Sequence, residues 1–434
     1  NRKNDSLIMF NQINYPSRSD YASICQRPAL EQGQLDALIA DVFSSVKTKG
    51  DQALRDFTVA YEKREILDIL YTAEEIETFA AKTDDELKKA IDQAYANIYA
   101  FHEAQRLVST KIEINPGVVC WQKATGIDKV GIYIPGGTAP LFSTVLMLAI
   151  PARIAECKEV VLCTPAVHPA IFYAAKLCGV TKMCKVGGAQ AIAALAQGTE
   201  SIPKVYKIFG PGNQYVTAAK QLVQQYGTAI DMPAGPSEVC VWADETAIPS
   251  FVAADLLSQA EHGADSQVLL VASEEKIVEQ VKQALNEQLL LLPRKDFAEK
   301  ALANSKAIVI HETEQALALI NEYAPEHLIL SIQQAEMIAE KVWNAGSVFI
   351  GNYSPESVGD YASGTNHTLP TNGYAKAYSG VSVDSFVKKI TFQQLTERGL
   401  TNIAQTVMDM AKAESLDAHS KAVQIRVDHI NNNK

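Results

Sequence analysis

The stretch VGIYIPGGTAP (130–140) decides how the fold is read. Four β-prone residues and a glycine run into a proline and two glycines, and an apolar, helix-friendly run follows. That order reads as strand, tight turn and helix start. The texture then repeats. EVVLC (159–163), KMCKV (182–186), VYKIF (205–209) and TAIDM (228–232) are short β-rich runs separated by helical patterns. Such alternation predicts βαβ units on a mainly parallel sheet. After residue 237 a second series begins with VCVW (239–242), QVLLV (267–271), AIVI (307–310), LILS (328–331) and SVFI (347–350). The class is therefore α/β, with two modules.

Upstream, residues 30–107 read as helix after helix, and they fit with either module. Thr83 and Glu86 make a capping-box pattern, followed by Leu87, Ile91, Ala94, Ile98 and Phe101 at helical spacing. Residues 352–385, rich in Gly, Ser, Asn and Pro, read as ordered but irregular. Residues 391–434 read as a peripheral helical arm.

Bulk properties narrow the function. The 434 residues are 47% hydrophobic, ample for large cores. Lys and Arg total 39 against 50 Asp and Glu, a net charge of −11. That balance argues against nucleic acid or an anionic membrane as a partner. The seven cysteines are dispersed without a C-x-x-C pair, which suits a reducing compartment. NRKNDSLIMF (1–10) lacks a signal-peptide core, and APLFSTVLMLAIPA (139–152) is too short to span a bilayer. A soluble, cytoplasmic protein is expected.

Three turns in the first module share one design of strand, glycines and helix: YIPGGTAP (133–140), KVGGAQAIAAL (185–195) and FGPGNQYVTAAK (209–220). Glycine admits a ligand close to the backbone, and helix N-termini favour anions. A phosphate-bearing cofactor fits. So do ordinary tight βα turns, since neither G-x-G-x-x-G nor G-x-x-x-x-G-K-[ST] is present.

Elsewhere the chemistry is scattered. SFVAADLLSQAEHGADSQ (250–267) puts Gln259 and His262 on one helical face ahead of Gly263, expected as a left-handed cap. The pair suits a metal or a wet helix end. NEYAPEHL (321–328) sets Glu326 beside His327 at a loop-to-strand junction, where two bases suit two proton transfers. A surface Glu-His pair reads the same way. SPESVGDYASGTNHTLPT (354–371) carries Glu356, Asp360, Asn366 and His367, and Asp360 suits zinc or a turn cap. AESLDAHSKAV (413–423) puts Glu414 and His419 about 140° apart around a helix. Gln259, His262, Asp360 and His419 have the ligand types zinc takes, but spacing alone does not select them.

Together the strings YIPGGTAPLFSTVLMLAIPA, VGGAQAIAALAQGTESIPKV, KIFGPGNQYV, AIDMPAGPSEV, DLLSQAEHGADSQ, APEHL, GSVFIG, SPESVGDYASGTNHTLPT and YSGVSVDSF resemble the histidinol dehydrogenase family. They run in order from about residue 25 to the C-terminus. The resemblance implies zinc-dependent oxidation of L-histidinol to L-histidine through the aldehyde, using two NAD⁺, in a homodimer with shared active sites. It implies zinc ligands Gln259, His262, Asp360 and His419, one ion per subunit, and a catalytic pair Glu326 and His327. Substrate contacts would be Ser237, Gln259, His262, His327, Asp360, Glu414 and His419. Cofactor contacts would be Tyr133, Gln190 and Asn213.

The implied organisation is two Rossmann-like α/β modules, N-terminal helices and a helical arm. An N-terminal segment, 1–25, precedes a discontinuous first domain, 26–128 with 238–380, which carries most site residues. A second domain, 129–237, carries the NAD turns, and the arm, 381–434, is exchanged between subunits. A zinc-assisted dehydrogenase of another amino alcohol would keep every motif. A two-lobed solute-binding protein would not explain Glu326 beside His327. Cys120 and Cys157 invite a thiohemiacetal route, but the cysteines read as structural.

Overall fold

Valine, isoleucine and leucine crowd the expected strands because helices cover both faces of a parallel sheet. In this computed structural model, which describes residues 11–27, 32–137, 139–233 and 235–433, those runs form the centre of two sheets. The segment 1–10, Thr138 of the first glycine turn and Ala234 of AIDMPAGPSEV lie outside the described residues.

In chain order the strands are β1 (Asn11–Asn14), β2 (Ile112–Asn115), β3 (Val118–Gly126), β4 (Lys129–Tyr133) and β5 (Glu159–Cys163). Then come β6 (Lys182–Cys184), β7 (Lys207–Phe209), β8 (Ala229–Ile230), β9 (Glu238–Ala243) and β10 (Gln267–Ala272). The last are β11 (Lys306–Val309), β12 (His327–Ser331), β13 (Ser347–Ile350) and β14 (Val387–Leu395). One parallel sheet has the order β6-β5-β4-β7-β8. The other runs β11-β10-β9-β12-β13 in the same topology, with β1 added parallel beyond β11. In each, the first strand of the module is central and the chain reverses direction across the sheet there. Ligands of such sheets sit at that switch point.

The N-terminal helices side with the β4–β8 sheet. Ile39, Phe43 and Leu54 pack with Val161, Ile192 and Ile208, and Ile91, Ala94 and Ile98 pack with Ile132 and Leu148. The apolar faces of these helices are buried on the 129–237 module. The capping expectation shifts by one residue. Asp84, not Thr83, caps the helix Asp85–Glu103 by accepting from the N–H groups of Glu86 and Leu87. Phe101 of that helix is exposed, while His102 is buried.

A third, antiparallel sheet, β14-β3-β2, was not expected. β14 takes the opening residues, 391–395, of the anticipated helical arm. Most of β14 and all of β2 is exposed, so no buried face imprinted an alternating pattern. Trp121 and Phe392 stack across it at 5.2 Å. Beyond it the helices Glu397–Ala413 and Asp417–Asn432 pack on each other. Among the described residues no helix is long and apolar enough to cross a membrane.

Candidate active site

Opposite ends of the two parallel sheets meet across a cleft of about 280 Å³. The C-terminal end of β7 contributes Gly210 to Asn213. The N-terminal ends of β9, β10 and β12 contribute Ser237, Ser266 and Glu326, and His262 and His367 close the side.

Tyr133 joins the glycine turns. It is buried at the end of β4, and its hydroxyl accepts the N–H of Gly188 at 3.0 Å. Gly210 sits at φ +130°, where a Cβ would lie 2.1 Å from the Tyr133 carbonyl oxygen, so only glycine fits. Burial pushes the Tyr133 hydroxyl up to about 12, which keeps it neutral. A buried ion pair grips the third turn from behind. Lys220 Nζ lies 2.5 Å from Asp231 Oδ1 and donates to the Gly210 carbonyl at 2.7 Å. Asp231 Oδ2 accepts the Gly210 N–H at 2.8 Å. Gln190 is buried in the helix after the second turn. Asn213 caps the helix after the third by accepting from the N–H groups of Tyr215 and Val216. All three expected cofactor residues thus belong to the interlocked turns.

Across the cleft, Glu326 and His327 lead into β12, and both are buried. Glu326 Oε2 accepts the N–H of Glu238 at 2.8 Å. Burial away from water pushes its carboxyl up to about 8. His327 Nδ1 lies 3.1 Å from the Glu238 carbonyl oxygen, so Nδ1 carries the proton and Nε2 is left to exchange one. Nε2 is buried without a hydrogen-bond partner and lies 3.6 Å from Asp360 Oδ1. Desolvation opposes a charge on His327, yet Glu356, Glu326 and Asp360 together hold its pKa well above the ordinary value.

The helix Pro249–Ala260 brings Gln259 to the same place. Its Oε1 is buried with no partner, while Nε2 lies 3.2 Å from His262 Nδ1. Gly263 does not adopt the left-handed cap that was expected, and the helix closes at Glu261 in a right-handed conformation. Burial lowers the pKa of His262, favouring the neutral imidazole that metals take. Asp360, in the short helix Glu356–Tyr361, is held low despite burial by the adjacent His327 ring and the imidazoles of His367 and His262. His367 Nδ1 donates to the Asp360 carbonyl at 2.8 Å and its Nε2 faces Thr144 Oγ1 at 3.0 Å, so His367 anchors the backbone that carries Asp360.

Two acids were missed as site members. Glu356 Oε1 lies 3.8 Å from His327 Nδ1, and burial pushes this carboxyl up to about 8. Asp255, one turn before Gln259, is pushed up by burial to about 7. Their i, i+4 spacings to Asp360 and Gln259 were legible, but 352–385 read as irregular and hid the helix. His327, Glu356 and Asp360 offer ligand atoms within 4.8 Å of one another, a second grouping that shares only Asp360 with the expected set.

Ser237 lines the cleft. Glu414 and His419 do not reach it: both are exposed on the arm, and no hydrogen bond or ion pair among the described residues joins their side chains to the site. None of the residues lining the cleft is a cysteine. Burial pushes the Cys157 thiol up to about 12, far from a thiolate nucleophile.

The family described as histidinol dehydrogenase matches residues 25–427. The chain is 56% identical over 424 residues to histidinol dehydrogenase of Bacteroides thetaiotaomicron, covering 96% of this chain and 99% of that one. It is 51% identical over 432 residues to histidinol dehydrogenase of Yersinia pestis, covering 99% and 97%. The crystal structure of histidinol dehydrogenase from Elizabethkingia anophelis superposes with a TM-score of 0.95 at 52% identity, covering 97% of this chain and 99% of that one.

Proposed function

The chain belongs to the histidinol dehydrogenase family, NAD-dependent oxidoreductases of histidine biosynthesis, and on that premise we propose that it oxidises L-histidinol to L-histidine in two hydride transfers. The observation that carries the reading is the cleft itself. It sets Glu326, beside His327, opposite Gly210 to Asn213 of the third turn. That turn interlocks with those of Tyr133 and Gln190, and together they would hold each of two NAD⁺ in succession.

Gln259, His262 and Asp360, with His419 of the partner subunit, would hold zinc. The partnerless buried Oε1 of Gln259 and the neutral imidazole of His262 fit such an ion. The donor set favours zinc over a purely carboxylate-bound cation. When bound, zinc would give the imidazole and amine of histidinol a fixed point of attachment. Glu414 of the partner subunit would pair with the substrate ammonium, and Ser237 would line its seat.

His327 Nε2 takes the alcohol proton as the first hydride leaves. Glu326 then deprotonates a water that adds to the aldehyde, and protonated His327 returns its proton to the alkoxide so formed. His327 takes a proton from the resulting diol as the second hydride leaves. Each base acts only in its deprotonated form, and the raised pKa values of both move that form toward alkaline pH. A homodimer with shared sites, in the cytoplasm, completes the reading. Replacing Glu326 with glutamine tests it. Aldehyde oxidation should fall more than alcohol oxidation, and equal loss in both would count against the water-activating role.

A further inference from the structure

The two bases hang from the backbone of a single residue, Glu238. The Glu238 N–H donates to Glu326 Oε2 at 2.8 Å, and the Glu238 carbonyl accepts from His327 Nδ1 at 3.1 Å. Wherever residue 238 sits, both bases follow. Its own side chain points the other way, 2% exposed, into a bidentate clamp. Arg27 Nε and Nη2 each lie 2.8 Å from a different oxygen of the Glu238 carboxylate. The Arg27 guanidinium also donates to the Tyr323 carbonyl at 2.7 Å and lies 4.0 Å over the Tyr323 ring. The Asn372 N–H donates to Glu238 Oε1 at 2.8 Å.

We propose that Arg27 and Glu238 are positioning residues for the proton-transferring pair, tying the chain just ahead of the N-terminal helices to the chemistry through the first residue of β9. The inference rests on the reading of Glu326 and His327 as the two bases. A planar guanidinium fork fixes a carboxylate in direction as well as in distance, which a lysine does not. The carboxylate in turn fixes the backbone of its own residue, and proton transfer tolerates little displacement of the groups that perform it. The proposed cofactor turns lie on the other sheet and, among the described residues, share no hydrogen bond with this clamp.

The test is steady-state kinetics of Arg27→Met, Arg27→Lys and Glu238→Gln, beside Glu326→Gln and His327→Asn, each with a folded fraction from near-ultraviolet circular dichroism. Arg27→Met should lower kcat about 10- to 100-fold, the range for removing an outer partner of a site residue. The KM for NAD⁺ should stay within about twofold, and the isotope effect on kcat with histidinol deuterated at the carbinol carbon should rise. Arg27→Lys should recover only part of the rate. A purely structural role would lower the folded fraction and leave kcat per folded molecule and the isotope effect unchanged, which would overturn the proposal. Should Arg27→Met not fold, Arg27→Lys carries the same readouts. Full activity in folded Arg27→Met with inactive Glu326→Gln would sink the positioning role alone. Full activity in Glu326→Gln and His327→Asn would sink the reading of the pair itself.

Discussion

Glu326, Glu356 and Asp255 are three carboxyls that burial keeps protonated well above the usual carboxylate range. For Glu326, the base in the proposed mechanism, the consequence is catalytic. It acts as a base only after losing its proton, so kcat should climb from about pH 6 to about pH 9, with a midpoint near 8 from the carboxyl pushed up to about 8. A flat profile over that range would show that Glu326 is not the base. For Asp255 the consequence is stability. Its folded pKa, about 7, lies above the ordinary 3.8, so its contribution is full at acid pH and drains away as pH rises through 7. Asp255→Asn should therefore raise the thermal midpoint more at about pH 8 than at about pH 5, read by calorimetry at both. Glu326 beside His327 was visible in the sequence because the two are adjacent. That both depend on Glu238 was not, because the peptide that holds them is remote in the chain.

At the scale of elements, the buried parallel strands were legible from continuous apolar runs, and the glycine turns from the residues that only such turns need. β14-β3-β2 was not, since exposure left it no pattern. The helix Glu356–Tyr361 was hidden by its glycine and serine neighbours, and with it the face that carries Glu356 and Asp360 toward His327. The third cofactor turn makes a prediction of its own. Lys220 and Asp231, 2% and 1% exposed, hold both polar groups of Gly210. Lys220→Met would leave a buried carboxylate unpaired, at a cost of about 3–5 kcal/mol by chemical denaturation. In the folded enzyme it should raise the KM for NAD⁺ several-fold with little change in the KM for histidinol. Equal change in both would mean that the turn does not serve the cofactor.

Across the whole molecule, two modules of one topology are used at opposite ends. The β4–β8 sheet presents its C-terminal edge, with glycine turns suited to a dinucleotide. The β9–β13 sheet presents its N-terminal edge, with bases and candidate ligands. The cleft between them lacks Glu414 and His419, which stand exposed on the arm of the same chain. If the arm completes a neighbour's site, an inactive Asp360→Asn protein mixed with an inactive His419→Ala protein should regain about a quarter of wild-type activity, because random exchange gives half mixed dimers, each with one intact site. No recovery after verified subunit exchange would place each site within one chain.

The central claim is a double oxidation in this one cleft, and it is measured most directly as NADH formed per L-histidinol consumed, with excess NAD⁺ and added zinc. The account predicts a ratio near two, lost on chelation and restored by zinc. A ratio near one, with free aldehyde accumulating, would contradict it.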